Sequence, residues 1–195
     1  MRTTGKVTHQ KILEAARWLI ATRGYSNFSF ADISAEIAVH KASIHHHFPT
    51  KAALAIAVTD LCREEFEVTM AAMAVEMTDP VAQLQAYLHC WERHLINNPQ
   101  AFCVAGMLGA EVPFLEVDVA VAVGKYFASM TSWLEGVLAA GAASGRFQIH
   151  GSPKDEAAAF VSLVYGAVLV ARATRIPGHF TEATRVAFRC LTAPP

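Results

Sequence analysis

Apolar residues recur three and four apart along this chain, and no strand-like alternation persists, so helices are the available fold. From Thr8 to Arg23 the stripe Ile12, Ala15, Ala16, Leu19 and Ile20 follows the pattern of an amphipathic helix, which Gly24 ends. Ser29 opens Ser-Phe-Ala-Asp, close to a capping box, where hydroxyl and carboxylate satisfy the unpaired N–H groups at a helix start. A second helix is therefore predicted to about Ile37, burying Phe30, Ile33 and Ile37. His40 to Phe48 reads as a third, two-turn helix closed by Pro49, which disfavours helical geometry in the residue before it. At about 100° per residue, Ile44 and Phe48 share one face, Ala42, Ser43 and His46 the opposite one, with Lys41, His45 and His47 flanking. Two short helices, a tight turn between them and a donor-rich outer face describe a helix-turn-helix whose second helix suits a major groove.

Beyond Lys51 the breakers Asp79-Pro80, Asn98-Pro99, Pro113, Gly141 to Gly145, Ser152-Pro153 and Pro177-Gly178 cut the chain into helix-length pieces. A long helix is expected at about 51–76, and others at about 81–97, 100–110, 117–140, 154–174 and 181–192. The expected fold is all-α, an N-terminal three-helix helix-turn-helix head at 1–54 joined to a helical ligand-binding and dimerisation body at 55–195. With 53% hydrophobic residues in 195, the chain has enough apolar surface for a sizeable core and is no disordered tail. The polar N-terminus has no signal-peptide pattern, and the uncharged, apolar run Ala157 to Ala171 is shorter than the roughly 20 residues of a bilayer span. A cytoplasmic protein without a membrane partner is expected. Cys62, Cys90, Cys103 and Cys190 match neither a zinc site nor a CxxC pair and read as free thiols; no metal or cofactor is expected.

Charge is distributed unevenly. Residues 1–57 carry seven Lys or Arg against three acids, a balance of +4, and the remainder carries nine against fourteen, or −5. Five of the nine histidines also lie in the first segment. Such a head suits a polyanion, although a solvated helical face would look similar from charge alone.

The run Phe30-Ala31-Asp32-Ile33 through Val39-His40-Lys41-Ala42-Ser43-Ile44-His45-His46-His47-Phe48, with Lys51 and Leu54 after it, resembles the DNA-binding head of the TetR/AcrR family of bacterial transcriptional regulators. It departs from the usual family pattern at Ala38 and Ala42, where Gly is usual, at His40 in place of a capping Ser, and at His45 in place of Tyr. Ala38 is expected to strain a positive-φ turn by roughly 1 kcal/mol. The resemblance assigns Lys41 and Ala42 to base edges and His45, His46 and His47 to phosphates or groove walls, with His40 and Ser43 on the same recognition helix. Ser29 and Lys51, each at a helix start, would hold phosphates. Consecutive helical histidines fan apart and cannot chelate one ion together, and His9 reads as exposed surface.

In the body, the stretch Ala157 to Ala171 is apolar around most of its circumference, and the last helix carries the stripe Ala183, Val186, Ala187, Cys190 and Leu191. A second copy would cover both, and the resemblance implies a homodimer through these last two helices. Trp91, His94, Phe102, Met107, Phe127, Met130, Trp133 and Tyr165 have the makeup of an apolar pocket, with Glu92 and Glu111 as further orienting groups. The segment Phe102 to Glu111 is similar to the Cys-containing segment of a TetR-family branch of electrophile-sensing regulators, making Cys103 a candidate sensor. The expectation is a ligand-responsive regulator, most simply a repressor, with a double-stranded DNA operator and a small-molecule effector as partners. The alternative is an all-helical small-molecule-binding protein or thiol enzyme using Cys103 and His94.

Overall fold

The computed structural model describes residues 2–98, 100 and 102–192. Among them are nine α-helices and no strand: α1 (Arg2–Arg23), α2 (Phe30–Ile37), α3 (Lys41–His47), α4 (Lys51–Glu76), α5 (Pro80–Asn97), α6 (Val104–Glu111), α7 (Val117–Ala143), α8 (Pro153–Thr174) and α9 (Gly178–Thr192), with a 3₁₀ turn at Val112–Phe114. The all-helical reading and most boundaries agree with the sequence. Helix α6 is the main exception, since it starts at Val104 rather than near Gln100. The backbone N–H of Phe102 donates to the Ala21 carbonyl at 2.8 Å, which holds the chain out of helical geometry just before that start. Pro99, the other half of the expected start, lies outside the described residues.

The chain forms two compact units, Met1–Glu64 with Ala101–Phe127, and Glu65–Gln100 with Ala128–Pro195, so that α4 and α7 each contribute to both. In the first, the α1 stripe packs as its spacing requires. Ile12, Leu19 and Ile20 are fully buried with Ile33 of α2, Ile44 of α3, Leu54 of α4 and Leu108 of α6. Each such side chain contributes roughly 1.5–3 kcal/mol by leaving water. Segment Ala101–Phe127 thus shares a core with the helix-turn-helix.

The second unit is built on Leu84, Tyr87 and Trp91 of α5, Met130, Leu134 and Leu138 of α7, Phe160, Val164 and Val168 of α8, and Phe180 and Leu191 of α9. Its helices are delimited by local chemistry. Asp79 Oδ1 accepts from Val81 N–H and Pro80 occupies the first turn of α5, and Ser152 Oγ accepts from Asp155 N–H at the start of α8. Gly141 lets the Phe147 ring close onto α7, where a Cβ would collide with it.

Helix α8 is half covered. Phe160, Val161, Val164, Ala167, Val168 and Ala171 are buried, while Leu163, Leu169 and Val170 face outward together with Ala159, Ser162, Gly166 and Ala173. On α9, Phe180, Thr184 and Leu191 are buried and Val186 and Cys190 exposed, so Leu191 belongs to the covered side rather than to the outward stripe. Taken by length and composition, α8 is the one helix among the described residues long and apolar enough to cross a membrane; its length exceeds the uncharged run because charged end turns extend it.

Candidate nucleic-acid interface

The element that presents α3 begins at a reciprocal cap. Ser29 Oγ accepts from Ala31 N–H at 3.2 Å and donates to Asp32 Oδ2 at 2.7 Å, while Ser29 N–H donates to the same carboxylate at 2.8 Å. The Ser29 hydroxyl, then its backbone N–H, hold the Asp32 carboxyl below its ordinary range, with Arg23 adding attraction at 3.5 Å. Ser29 therefore spends its hydroxyl on the cap rather than presenting it to a phosphate.

Helix α2 ends at Ala38, whose φ of 52° and ψ of 43° place it in the left-handed region, and the N–H groups of Ala38 and Val39 converge on the Ser34 carbonyl. This is the Schellman closure that glycine usually serves. The turn keeps its left-handed geometry without the glycine rather than being rebuilt.

From that turn, α3 exposes Lys41, Ala42, His45 and His46, whereas Ile44 and Phe48 are buried, which is the facing derived from helical spacing. Ser43, expected on the outer face, is half-buried, and exposed His40 occupies the N-cap without a side-chain bond to the backbone. The His45 ring meets the Phe30 ring edge-on at 4.7 Å, which fixes its direction while leaving it accessible. His47 is half-buried, its ring 5.6 Å from those of both His9 and His46. Burial first, then the neighbouring imidazoles of His9 and His46, hold the His47 pKa below the usual histidine value. His9, read as surface, is half-buried instead and also lies 4.9 Å from Phe48. Nothing in its local sequence signals this, because the contact joins α1 to α3.

Lys51 corrects a second phosphate expectation. Its ammonium donates to the Phe28 carbonyl and lies over the Tyr25 ring at 4.5 Å and the Phe28 ring at 4.3 Å. Desolvation lowers its pKa against the opposing pull of Glu111, Glu116 and Asp32. It anchors the turn between α1 and α2 rather than pointing outward.

That turn is also gripped from α6. Glu111 accepts from Tyr25 N–H at 3.0 Å and from the N–H and hydroxyl of Ser26 at 2.9 Å each, and Glu116 accepts from the Tyr25 hydroxyl at 2.8 Å. Burial, reinforced by the Glu116 carboxylate, raises the Tyr25 phenol pKa well above its usual value. Gly24, at φ 83°, is required here twice over, because a Cβ would fall on a Glu111 carboxylate oxygen. Glu111 is thus a ligand of the head's own backbone, not an orienting group in a pocket.

The candidate ligand-binding residues divide between the units. In the second, the Trp133 ring lies 5.1 Å from Tyr87 and 5.9 Å from Phe66, the Tyr87 hydroxyl donates to Met130 Sδ at 3.4 Å, and Trp91 meets Tyr165 at 5.4 Å and His94 at 6.0 Å. In the first, partly buried Met107 and Phe127 pack against the head's core, and Phe102 is buried against Gly106. Cys103 is the N-cap of α6, half-buried, with its thiol 3.7 Å from the Tyr126 hydroxyl.

The sequence pattern of bacterial regulatory proteins, tetR family, matches residues 12–58, which span α1's apolar stripe, α2, α3 and the start of α4. A TetR-family transcriptional regulator from Agrobacterium tumefaciens is 37% identical, covering 97% of this chain and 100% of its own, with a TM-score of 0.93. A TetR transcriptional regulator from Legionella pneumophila is 26% identical over 93% of this chain and 95% of its own, at a TM-score of 0.85. The reduced form of E. coli NemR, 20% identical over 96% and 100%, shares the fold at a TM-score of 0.84. No curated protein matches the sequence. Family pattern, whole-chain identity and the outward-facing α3 agree, and the chain belongs to the TetR family of transcriptional regulators.

Proposed function

We propose that this chain is a homodimeric, ligand-responsive repressor that releases a palindromic DNA operator when a small hydrophobic or electrophilic effector binds its helical body. The observation that carries the reading is the division of α3, with Ile44 and Phe48 fixed in the core and Lys41, Ala42, His45 and His46 left accessible. Lys41 and Ala42 would meet base edges, and His45 and His46 the groove walls and phosphates. A dimer would present two such helices to successive major grooves about 34 Å apart. Its second copy would lie on the outward side of α8, where Leu163, Leu169 and Val170 stand among small residues that permit close approach.

The effector reading is supported by two aromatic groups, Trp133 with Tyr87 and Met130, and Trp91 with Tyr165 and His94, and by the half-buried Cys103 thiol for an electrophile. Coupling is supported by the Glu111 and Glu116 bonds, which tie α6 to the α1–α2 turn. A ligand weakens operator binding only as far as it prefers the non-binding conformation.

The test is binding of the full-length protein to duplexes from its own upstream region, with Lys41→Ala and His46→Ala as controls. Retention at micromolar protein or below, lost in the controls, is expected; equal binding by the controls would sink the assignment of α3. A promoter fusion read with and without the protein then decides the sign, and derepression by a compound that raises its thermal midpoint identifies the effector class. A Cys103→Ser protein that responds unchanged to every active compound would remove the thiol from the account.

A further inference from the structure

His9, His46 and His47 stand together where α1 meets α3, with adjacent ring centroids 5.6 Å apart and edge-to-face planes at 75° and 67°. His9 also leans on Phe48 at 4.9 Å, so the arrangement is held by packing rather than by chance rotamers. Among the described residues no group of His, Cys, Asp or Glu side chains is placed to hold a metal ion, so the three rings do not form a chelate. The charged groups acting on His47 are His9 from α1 and His46 from α3; Glu14 of α1, Asp32 and Glu36 of α2, Lys41 of α3 and Lys51 of α4 are not among them. Among the described residues no carboxylate forms an ion pair with any of these three rings, so a positive charge placed on them takes its counter-ion from outside.

We propose that His9, His46 and His47 form one imidazole site that receives a DNA backbone phosphate and takes up a proton as the phosphate arrives, so that α1 joins the recognition helix in holding the duplex. The inference rests on the DNA-binding reading above. A phosphate is the anion a duplex offers beside a helix in its groove, and it supplies the compensation that the neighbouring imidazoles withhold. Because phosphate favours the protonated cluster, binding and proton uptake are linked, and operator affinity rises as pH falls. His47, whose pKa burial and the neighbouring imidazoles lower in the free protein, is the group with most to gain.

The experiment is anisotropy titration of a labelled upstream duplex with full-length protein at about pH 8 and about pH 6, each across a salt series. The expected result is an affinity roughly fivefold higher at the lower pH, and a log–log salt slope steeper there by about 0.9 for one added phosphate contact. His9→Gln and His47→Gln remove the titrating group but keep a hydrogen-bonding side chain, and both should lose the pH response and the added slope whatever their affinity at the higher pH. Histidine ring-proton NMR of the unaltered protein, with and without duplex, needs no variant; at least one of these rings should hold its proton to higher pH in the complex. DNA binding with equal affinity at both pH values, or a pH response that survives in folded His9→Gln protein, overturns this proposal and leaves the regulator reading standing. Failure to retain any DNA at either pH overturns both.

Discussion

Replacing Ala38 by glycine tests the central turn most directly. At φ 52° and ψ 43°, Ala38 occupies a region where the Cβ of an L-residue crowds the carbonyl that follows it, at a cost of roughly 1–2 kcal/mol that glycine escapes. Glycine returns about 0.4–1 kcal/mol of that through the greater freedom of its unfolded chain. Ala38 is exposed, so deleting its methyl removes no buried surface, and the bonds from Ala38 and Val39 to the Ser34 carbonyl are backbone bonds that the substitution leaves in place. The balance is a stabilisation of about 0.5–1 kcal/mol, or about 1–4 °C in thermal midpoint for a chain of this size. With two compact units the global midpoint is a blunt reading, so amide exchange at Val39 and in α2 and α3 is the sharper one, where protection should rise several-fold. Ala38→Val supplies the opposite sign, because β-branching deepens the clash. Arg175, at φ 59° closing α8, is an internal control, and Arg175→Gly should stabilise the second unit by a similar amount. Unchanged or reduced protection in Ala38→Gly would refute the argument, since it would mean that this turn carries no left-handed strain for glycine to relieve.

Three further outcomes follow from the geometry. Glu111→Gln keeps the shape but has one acceptor oxygen for donors on Tyr25 and Ser26, so exchange at those amides should accelerate and stability fall by about 1–2 kcal/mol, measured by denaturant titration. Under the dimer proposed above, Leu169→Glu places a charge on the outward face of α8 and should weaken self-association at least about tenfold, read by sedimentation mass measurement against concentration, with the helical signal unchanged. For His47 the folded-state pKa lies below the unfolded 6.5, so the unfolded chain binds the proton first. Its contribution to stability is complete above that value and is lost as pH falls through it; the stability of His47→Gln should decline less between about pH 7.5 and 5.5 than that of the unaltered protein.

What the sequence made legible was local. The stripe on α1, the Ser29 cap, the left-handed Ala38 and the facing of Ile44 against Lys41 and His46 each depend on residues within a few positions of one another, where periodicity and cap chemistry act. The helix-start position of Lys51 says nothing about Tyr25 and Phe28, the rings and carbonyl that draw its ammonium inward. The half-buried place of His9 is hidden for the same reason, its partners His47 and Phe48 lying at the end of α3 and just after it. Met107 and Phe127 carry the composition of a pocket, and only the fold of Ala101–Phe127 with α1 places them, partly buried, against the head's core.

Glu111 shows how such a long-range contact changes the meaning of a residue. A carboxylate among apolar residues reads as an orienting group for a ligand, and here it orients backbone instead, taking two amide hydrogens and a hydroxyl from the turn between α1 and α2. Those donors follow the C-terminus of α1, whose fixed direction sets the start of α2 and, through Ala38, of α3. Glycine at position 24 lets the carboxylate approach, and Tyr25 adds a second bond to Glu116 beyond the 3₁₀ turn. Moving α6 relative to this turn therefore requires breaking charge-assisted hydrogen bonds or carrying the turn along. The second course costs less, because each broken bond gives up a charge-assisted contact of a carboxylate, and those from Tyr25 are partly buried. These bonds thus tie α6 to the turn from which α2 and then α3 follow.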